Sequence, residues 1–232
     1  MSDAVKLILL IESSSKNCSV ALTDGHALLC LRELSDDTYV HAEKLHSFIE
    51  ELFAETGLNY AGLSAVAVSK GPGSYTGLRI GVSAAKGICL ALNIPLIAVP
   101  TTEILARHAL KTQPGFAQYV AMIDARRDEV YTATYDGGMQ AAVDISSEIV
   151  NEDFISKFKA GNCLFVGDGA EKCKGLVEEK YLIQVLPSAS MMIEASDERY
   201  RAAAFEDTAY FEPFYLKEFI PGKAKKSGLQ NM

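Results

Sequence analysis

The stretch 70-KGPGSYTGLRIG-81 sets four glycines and a proline behind an apolar run. In that setting the backbone N–H groups at a helix start can hold a phosphate. The lysine-bearing form of this chemistry requires GxxxxGK followed by Ser or Thr, so that an ammonium reaches the terminal phosphates. Here Lys70 precedes the first glycine and Gly77 is followed by Leu78. The dinucleotide form requires GxGxxG with an acidic residue about 20 positions on. Gly71, Gly73 and Gly77 give GxGxxxG instead, and residues 93–102 contain neither Asp nor Glu. Two readings remain for the turn formed by Gly71, Pro72, Gly73, Ser74, Thr76, Gly77 and Arg79. Its N–H groups bind an anion without help from a lysine, or its glycines serve positive φ and close backbone contact.

Other residue types point away from catalysis. The histidines are His26, His41, His46 and His108. His41 and His46 are five apart, about 140° round a helix, and share no chelating face as an i, i+4 pair would. The HExxH pattern of a metallopeptidase is missing, so neither a metal site nor proteolysis is expected. Both histidines read as helix-surface or capping residues. No Ser–His–Asp or Cys–His constellation follows from spacing. Cys18, Cys30, Cys89, Cys163 and Cys173 are odd in number and form no CxxC pair. They read as reduced thiols in a core rather than as a zinc cluster or disulfide framework. Asp124, Arg126, Arg127 and Asp128 make a charged cluster behind a strand, suited to holding two lobes together, to touching a partner, or to meeting solvent.

The 232 residues are 49 % hydrophobic and carry a formal charge of −8. Such an acidic chain is poorly suited to bind nucleic acid alone, since phosphate neutralisation needs clustered Lys and Arg. No apolar run approaches the roughly 20 residues of a membrane span. The N-terminal MSDAVKLILLIESS, flanked by acids, reads as a first strand rather than a signal peptide.

Around the glycine-rich turn the elements follow from periodicity. Residues 5–11, 18–24 and 26–34 read as three strands, the last two joined at Asp24-Gly25. In 41-HAEKLHSFIEELFAE-55, Leu45, Phe48, Ile49, Leu52 and Phe53 form one helical stripe. A buried strand 64–70 leads into the turn, a helix runs from about Tyr75 to Leu92, and a strand 94–99 precedes a capped helix 101–112. Strands 118–124 and 129–136 and the turn Gly137-Gly138 open a second half too short to repeat the first fully. This order predicts an α/β protein with a mixed sheet flanked by helices.

The helix after the turn is apolar on two sides. Leu78, Val82, Ala85, Cys89 and Leu92 form one stripe. Ile80, Ala84, Gly87 and Ala91, mostly small, form another almost opposite. Such a helix must be covered twice, once by its own sheet and once by either the 41–55 helix or a second protein.

Taken together, these segments resemble the bacterial TsaB family, also called YeaZ. The run 69-SKGPGSYTGLRIGVSAAKGICLALNIPLIAVPT-101 carries most of the likeness. In order along the chain, 7-LILLIESSSKNCSVAL-22, 41-HAEKL-45, 124-DARRDEVYTATY-135, 166-VGDGA-170 and 212-EPFYLKEF-219 add to it. The resemblance implies an actin-like, ribonuclease-H-like (ASKHA) fold of two related lobes, residues 1–112 and a reduced lobe 113–232 ending in a basic tail with Lys223, Lys225 and Lys226. It implies a cytoplasmic, non-catalytic, cofactor-free subunit. Its catalytic paralogue and partner TsaD modifies the adenosine next to the anticodon of tRNAs reading ANN codons, using a threonylcarbamoyl adenylate made by TsaC. The ATPase TsaE completes the assembly, tRNA is met through the complex or weakly by the tail, and the chain alone pairs with itself. The two helices, through Leu45, Phe48, Ile49, Leu52, Ile80, Ala84, Gly87 and Ala91, are the implied interface. Where the actin-like phosphate loop opens with an aspartate, and the family often has Asp-Thr-Ser, this chain has Glu12, Ser13 and Ser14. Gly167 and Gly169 read either as a second vestigial phosphate turn or as the end of a strand. The alternative function is an autonomous actin-like ATPase or carbamoyl-type transferase.

Overall fold

Leu7 to Ile11 is apolar at every position, and a strand apolar on both faces needs cover on both. In a computed structural model describing residues 6–36, 41–159 and 162–216, this segment is β1 (Leu7–Glu12), buried throughout at the centre of a five-stranded sheet. Its neighbours are β2 (Asn17–Asp24), β3 (Ala27–Ser35), β4 (Leu63–Gly71) and β5 (Leu96–Pro100), in the order β3-β2-β1-β4-β5. β2 runs antiparallel to β1, from Leu7 opposite Asp24 to Glu12 opposite Ser19, while β4 and β5 run parallel to it.

The second sheet contains β6 (Gln118–Asp124), β7 (Glu129–Asp136), β8 (Ala141–Ile149), β9 (Cys163–Val166) and β10 (Leu182–Ile183), in the order β10-β9-β6-β7-β8. Read from its other edge, this is the first sheet again, with β6 in the place of β1 and the same strand directions. The short second half therefore repeats the sheet strand for strand and economises on helices. Between the third and fourth strands of the first lobe lies α1 (His41–Thr56), and between the fourth and fifth lies α2 (Tyr75–Leu92). Their counterparts are the five-residue α4 (Glu152–Ser156) and a 3₁₀ turn at Asp168–Cys173.

α3 (Thr101–Thr112) lies between the sheets. Ile104 joins the core on one face of the first sheet, with Ala189, Met192 and Ala195, while Leu105, Ala106 and Ala109 pack with Tyr119, Ala121 and Tyr135 of the second. The cap expected at its start is not formed: Pro100 occupies that position without a side-chain hydrogen bond, and Thr102 Oγ1 instead meets Tyr135 Oη at 2.9 Å. Glu103 of α3 is ion-paired with Arg107 (2.9 Å) and with Arg199 of α5 (Ile193–Arg201) at 2.6 Å. Burial would raise this carboxyl, but the two guanidiniums outweigh it and hold it low.

From residue 188 the chain returns to the first lobe. Glu206 N–H donates to Leu96 O on the free edge of β5, Lys86 Nζ of α2 donates to the carbonyls of Ala209 and Phe211, and Phe214 N–H donates to Lys70 O. The division at 112/113 thus separates the sheets, whereas residues 188–216 pack on the first of them. Lys223, Lys225 and Lys226 lie outside the described residues. No helix among the described residues is long and apolar enough to cross a membrane.

Candidate functional site

The glycine-rich turn rests directly on the β1–β2 turn. A Cβ on Gly73 would lie 2.3 Å from Ser14 O, one on Gly77 2.1 Å from Ser13 O, and one on Gly81 2.1 Å from Ser13 Oγ. Ser74 N–H donates to Ser14 O at 2.6 Å, and Ser13 Oγ donates to Gly77 O at 2.9 Å. The Ser74 side chain caps α2 by accepting from Gly77 N–H. Two N–H groups that an anion would want, those of Ser74 and Gly77, therefore already have partners. Gly71 has φ +99°, where a side chain is strained, and Pro72 beside it is buried. Of the two readings of this turn, the geometry displays close backbone contact. Thr76 and Arg79 are exposed.

The second lobe repeats the device. As 71-GPG-73 opens on the last residue of β4, so 167-GDG-169 follows β9. Gly167 has φ +121°, and a Cβ there would lie 2.1 Å from Met122 O on β6; one on Gly169 would lie 2.9 Å from Val130 Cγ1 on β7. Gly167 and Gly169 thus let the chain cross the central strand closely. Each central strand also ends on a carboxylate, Glu12 in β1 and Asp124 in β6. The paired GxG motifs mark this correspondence in the sequence.

Neither carboxylate is free. Glu12 is fully buried, and its Oε1 accepts from Ser14 N–H at 2.6 Å and from Ser14 Oγ at 2.5 Å. Burial pushes the carboxyl up to about 7, against hydrogen bonds from Ser14 and Ser69 that lower it. Asp124 Oδ1 accepts from Lys172 Nζ and from Arg126 N–H, both at 2.6 Å. Burial there is outweighed by Lys172, the Arg126 N–H and, from the β1–β2 turn, Lys16, so the carboxyl is held low. Asp168 Oδ1 accepts Asp124 N–H at 3.0 Å, and Arg126 and Arg127 complete the turn with φ of 70° and 49°. The Asp124–Asp128 cluster is thus a braced turn. The actin-like fold implies a magnesium nucleotide between the lobes, and these residues do not fit one. Glu12 Oε1 is taken by Ser14 and Asp124 Oδ1 by Arg126 and Lys172, Glu12 Oε2 is buried without a hydrogen-bond partner, and the β1–β2 turn is covered by the glycines. Among the described residues no three His, Cys, Asp or Glu side chains converge on a metal position.

The Glu12 carboxyl makes a testable prediction. Its folded value of about 7 exceeds the reference 4.5, so between those pH values the folded chain keeps a proton that the unfolded chain has lost. Stability should fall as pH rises through this window, by about 3 kcal/mol at most. Glu12→Gln keeps the acceptor for Ser14 and has no charge to bury. Thermal melting should show the variant raised at pH 8 and unchanged near pH 4.5. Parallel melting profiles for variant and parent would show that folding does not raise the carboxyl above its reference value.

The two long helices present a different surface. Leu45, Phe48, Ile49 and Leu52 of α1 are packed within the chain against the first sheet and α2, so these four expected interface residues are core. His41 is buried at the first position of α1 rather than lying on the helix surface, and burial lowers its imidazole. Val82, Ala84, Ala85 and Cys89 of α2 belong to the same core, and Leu78 is buried as well. Along the other stripe, Ala84 is 8 % exposed, Ile80 is half-buried, and Gly87 and Ala91 are exposed. Between α1 and α2 lies an open groove of about 620 Å³, with Ala42 and His46 on one side and Arg79, Ile80, Ser83, Ala84, Gly87 and Ile88 on the other. Leu90 beside it is 65 % exposed. A Cβ on Gly87 would meet nothing within 4 Å. All five cysteines are buried and unpaired.

Two ribonuclease-H-like sheets in tandem, with a strand-end carboxylate in each, define an actin-like fold. The family model for TsaD, tRNA N6-adenosine threonylcarbamoyltransferase, matches residues 38–216. The tRNA threonylcarbamoyladenosine biosynthesis protein TsaB of Escherichia coli K12 is 30 % identical over 93 % of this chain and 96 % of its own length. That of Bacillus subtilis 168 is 30 % identical over 74 % of this chain and 75 % of its own. YeaZ from Pseudomonas aeruginosa superposes with a TM-score of 0.77 at 25 % identity, over 91 % of this chain and all of that one. The chain belongs to the TsaB (YeaZ) family.

Proposed function

We propose that this chain serves tRNA threonylcarbamoyladenosine biosynthesis as a non-catalytic subunit that binds TsaD through the α1–α2 groove and supports it together with TsaE. The carrying observation is Gly87. A mid-helix glycine costs roughly 1 kcal/mol relative to alanine, and nothing inside the chain uses the missing Cβ. Close approach of a second backbone would use it. Alone, the chain pairs with itself through the same face, and it meets tRNA through the assembled complex. Family membership supports the pathway, and the groove supports the partner role. Co-purification with the TsaD of the same cell tests the proposal, and failure to associate at micromolar concentrations would reject it.

The competing reading, an autonomous ATPase or carbamoyl-type transferase, requires a usable cleft. Against it stand the glycine turn packed on Ser13 and Ser14 and the Lys172 ammonium on Asp124. Calorimetry with Mg-ATP is expected to show no binding tighter than high micromolar. A low-micromolar constant, abolished by Glu12→Ala, would restore the enzyme reading.

A further inference from the structure

Arg79 stands at one end of the groove and is held differently from the four arginines that form ion pairs among the described residues. Arg32, Arg107, Arg199 and Arg201 pair with carboxylates of their own chain. The Arg79 guanidinium instead lies 4.3 Å over the ring of Tyr75, and its Nε donates to Tyr215 Oη at 3.3 Å. Tyr215 arrives from far along the chain and sets its own ring 4.9 Å from that of Tyr75. Among the described residues no carboxylate forms an ion pair with Arg79, although Glu212 is close enough to influence it. Arg79 is also the one Asp, Glu, Lys or Arg among the residues lining the groove, on a chain whose net charge is −8. An acidic partner is repelled by most of this surface and attracted here.

We infer that Arg79 is the polar anchor of the interface: oriented by Tyr75 and Tyr215, its guanidinium takes a carboxylate that the TsaD-type partner presents beside the helix seated in the groove. A planar guanidinium binds a carboxylate through two parallel hydrogen bonds, which an ammonium cannot reproduce. Arg and Tyr are the side chains that most often dominate interface energetics. The apolar residues next to Arg79, namely Ile80, Ala84 and Ile88, suit the side chains of a protein helix better than a nucleic-acid backbone. This inference rests on the proposed function and adds the feature by which the partner is selected.

The test measures association of the full chain with the TsaD of the same cell for the parent, Arg79→Ala, Arg79→Lys, Tyr215→Phe and Gly87→Glu. Melting temperatures confirm folding, since Arg79 is exposed. Arg79→Ala should weaken association about 30-fold or more. Arg79→Lys should recover only a minor part of that loss, and Tyr215→Phe should lose several-fold by freeing the guanidinium. Raising salt should weaken the parent more than Arg79→Ala. If Gly87→Glu abolishes association and Arg79→Ala leaves it intact, the groove stands and the anchor is overturned. An effect of Arg79→Ala confined to tRNA binding, or to self-association of the chain, overturns it as well. A parent chain that does not bind TsaD rejects the functional reading and this inference with it.

Discussion

Gly87→Glu is expected to weaken association with TsaD by about a hundredfold or more while leaving the chain folded. The position is exposed, and a Cβ there meets nothing. In a close helix–helix contact the new carboxylate must be desolvated or must hold the backbones apart, at a cost of several kcal/mol. At 1.4 kcal/mol per tenfold this gives the stated loss. Ala84→Glu should weaken association equally, but Ala84 is only 8 % exposed, so part of its effect will be destabilisation of the chain itself. Gly87→Ala separates the two contributions. It should stabilise the free chain by about 0.5–1 kcal/mol and still weaken association. Thermal melting alongside an association measurement decides the matter. Unchanged affinity in Gly87→Glu would place the partner elsewhere, and an unfolded Gly87→Glu would make the stripe core.

Gly77→Ala, ten residues earlier on the same helix, should do the reverse. In helical propensity alanine is the better residue, yet its Cβ would stand 2.1 Å from Ser13 O. The obstacle is backbone, so α2 or the β1–β2 turn must move and the Ser74–Ser14 and Ser13–Gly77 hydrogen bonds stretch. A loss of about 3 kcal/mol is expected, which for a chain of this size lowers the melting temperature by roughly 6–12 °C. A melting temperature within about 2 °C of the parent's would mean that the turn yields easily and that the packing is not what requires glycine.

The elements with strong periodicity were legible from residue types alone. α2 runs from Tyr75 to Leu92 as its stripes predict, and α3, β6 and β7 occupy the expected residues. The failures concern matters that periodicity does not encode. Which apolar stripe meets the chain itself and which meets solvent depends on topology, and so Leu45, Phe48, Ile49 and Leu52 are core although their helix borders the groove. The repeated sheet, which the family resemblance implied, was not visible in residue patterning alone because β9 and β10 are only four and two residues long and helices no longer separate them clearly. Glu12 and Asp124 lie more than a hundred residues apart, and only the fold makes them equivalent. The Arg79–Tyr75–Tyr215 cluster gave no local signal, since its last member arrives through the returning C-terminal segment.

That returning segment also sets a clock. The first sheet, α1 and α2 are synthesised by residue 100, yet Lys86 finds its carbonyls only at Ala209 and Phe211, and Lys70 O finds its donor only at Phe214. Translation at roughly 5–20 residues per second leaves the first lobe waiting several seconds or more for the residues that fasten it. Until then α2 is held by the first sheet and α1 without the returning segment, and Arg79 lacks Tyr215, which orients it. A nascent chain therefore exposes the groove before the groove is finished. Under the proposed partner role, a ribosome stalled short of residue 214 would display the two helices without the tyrosine that orients Arg79.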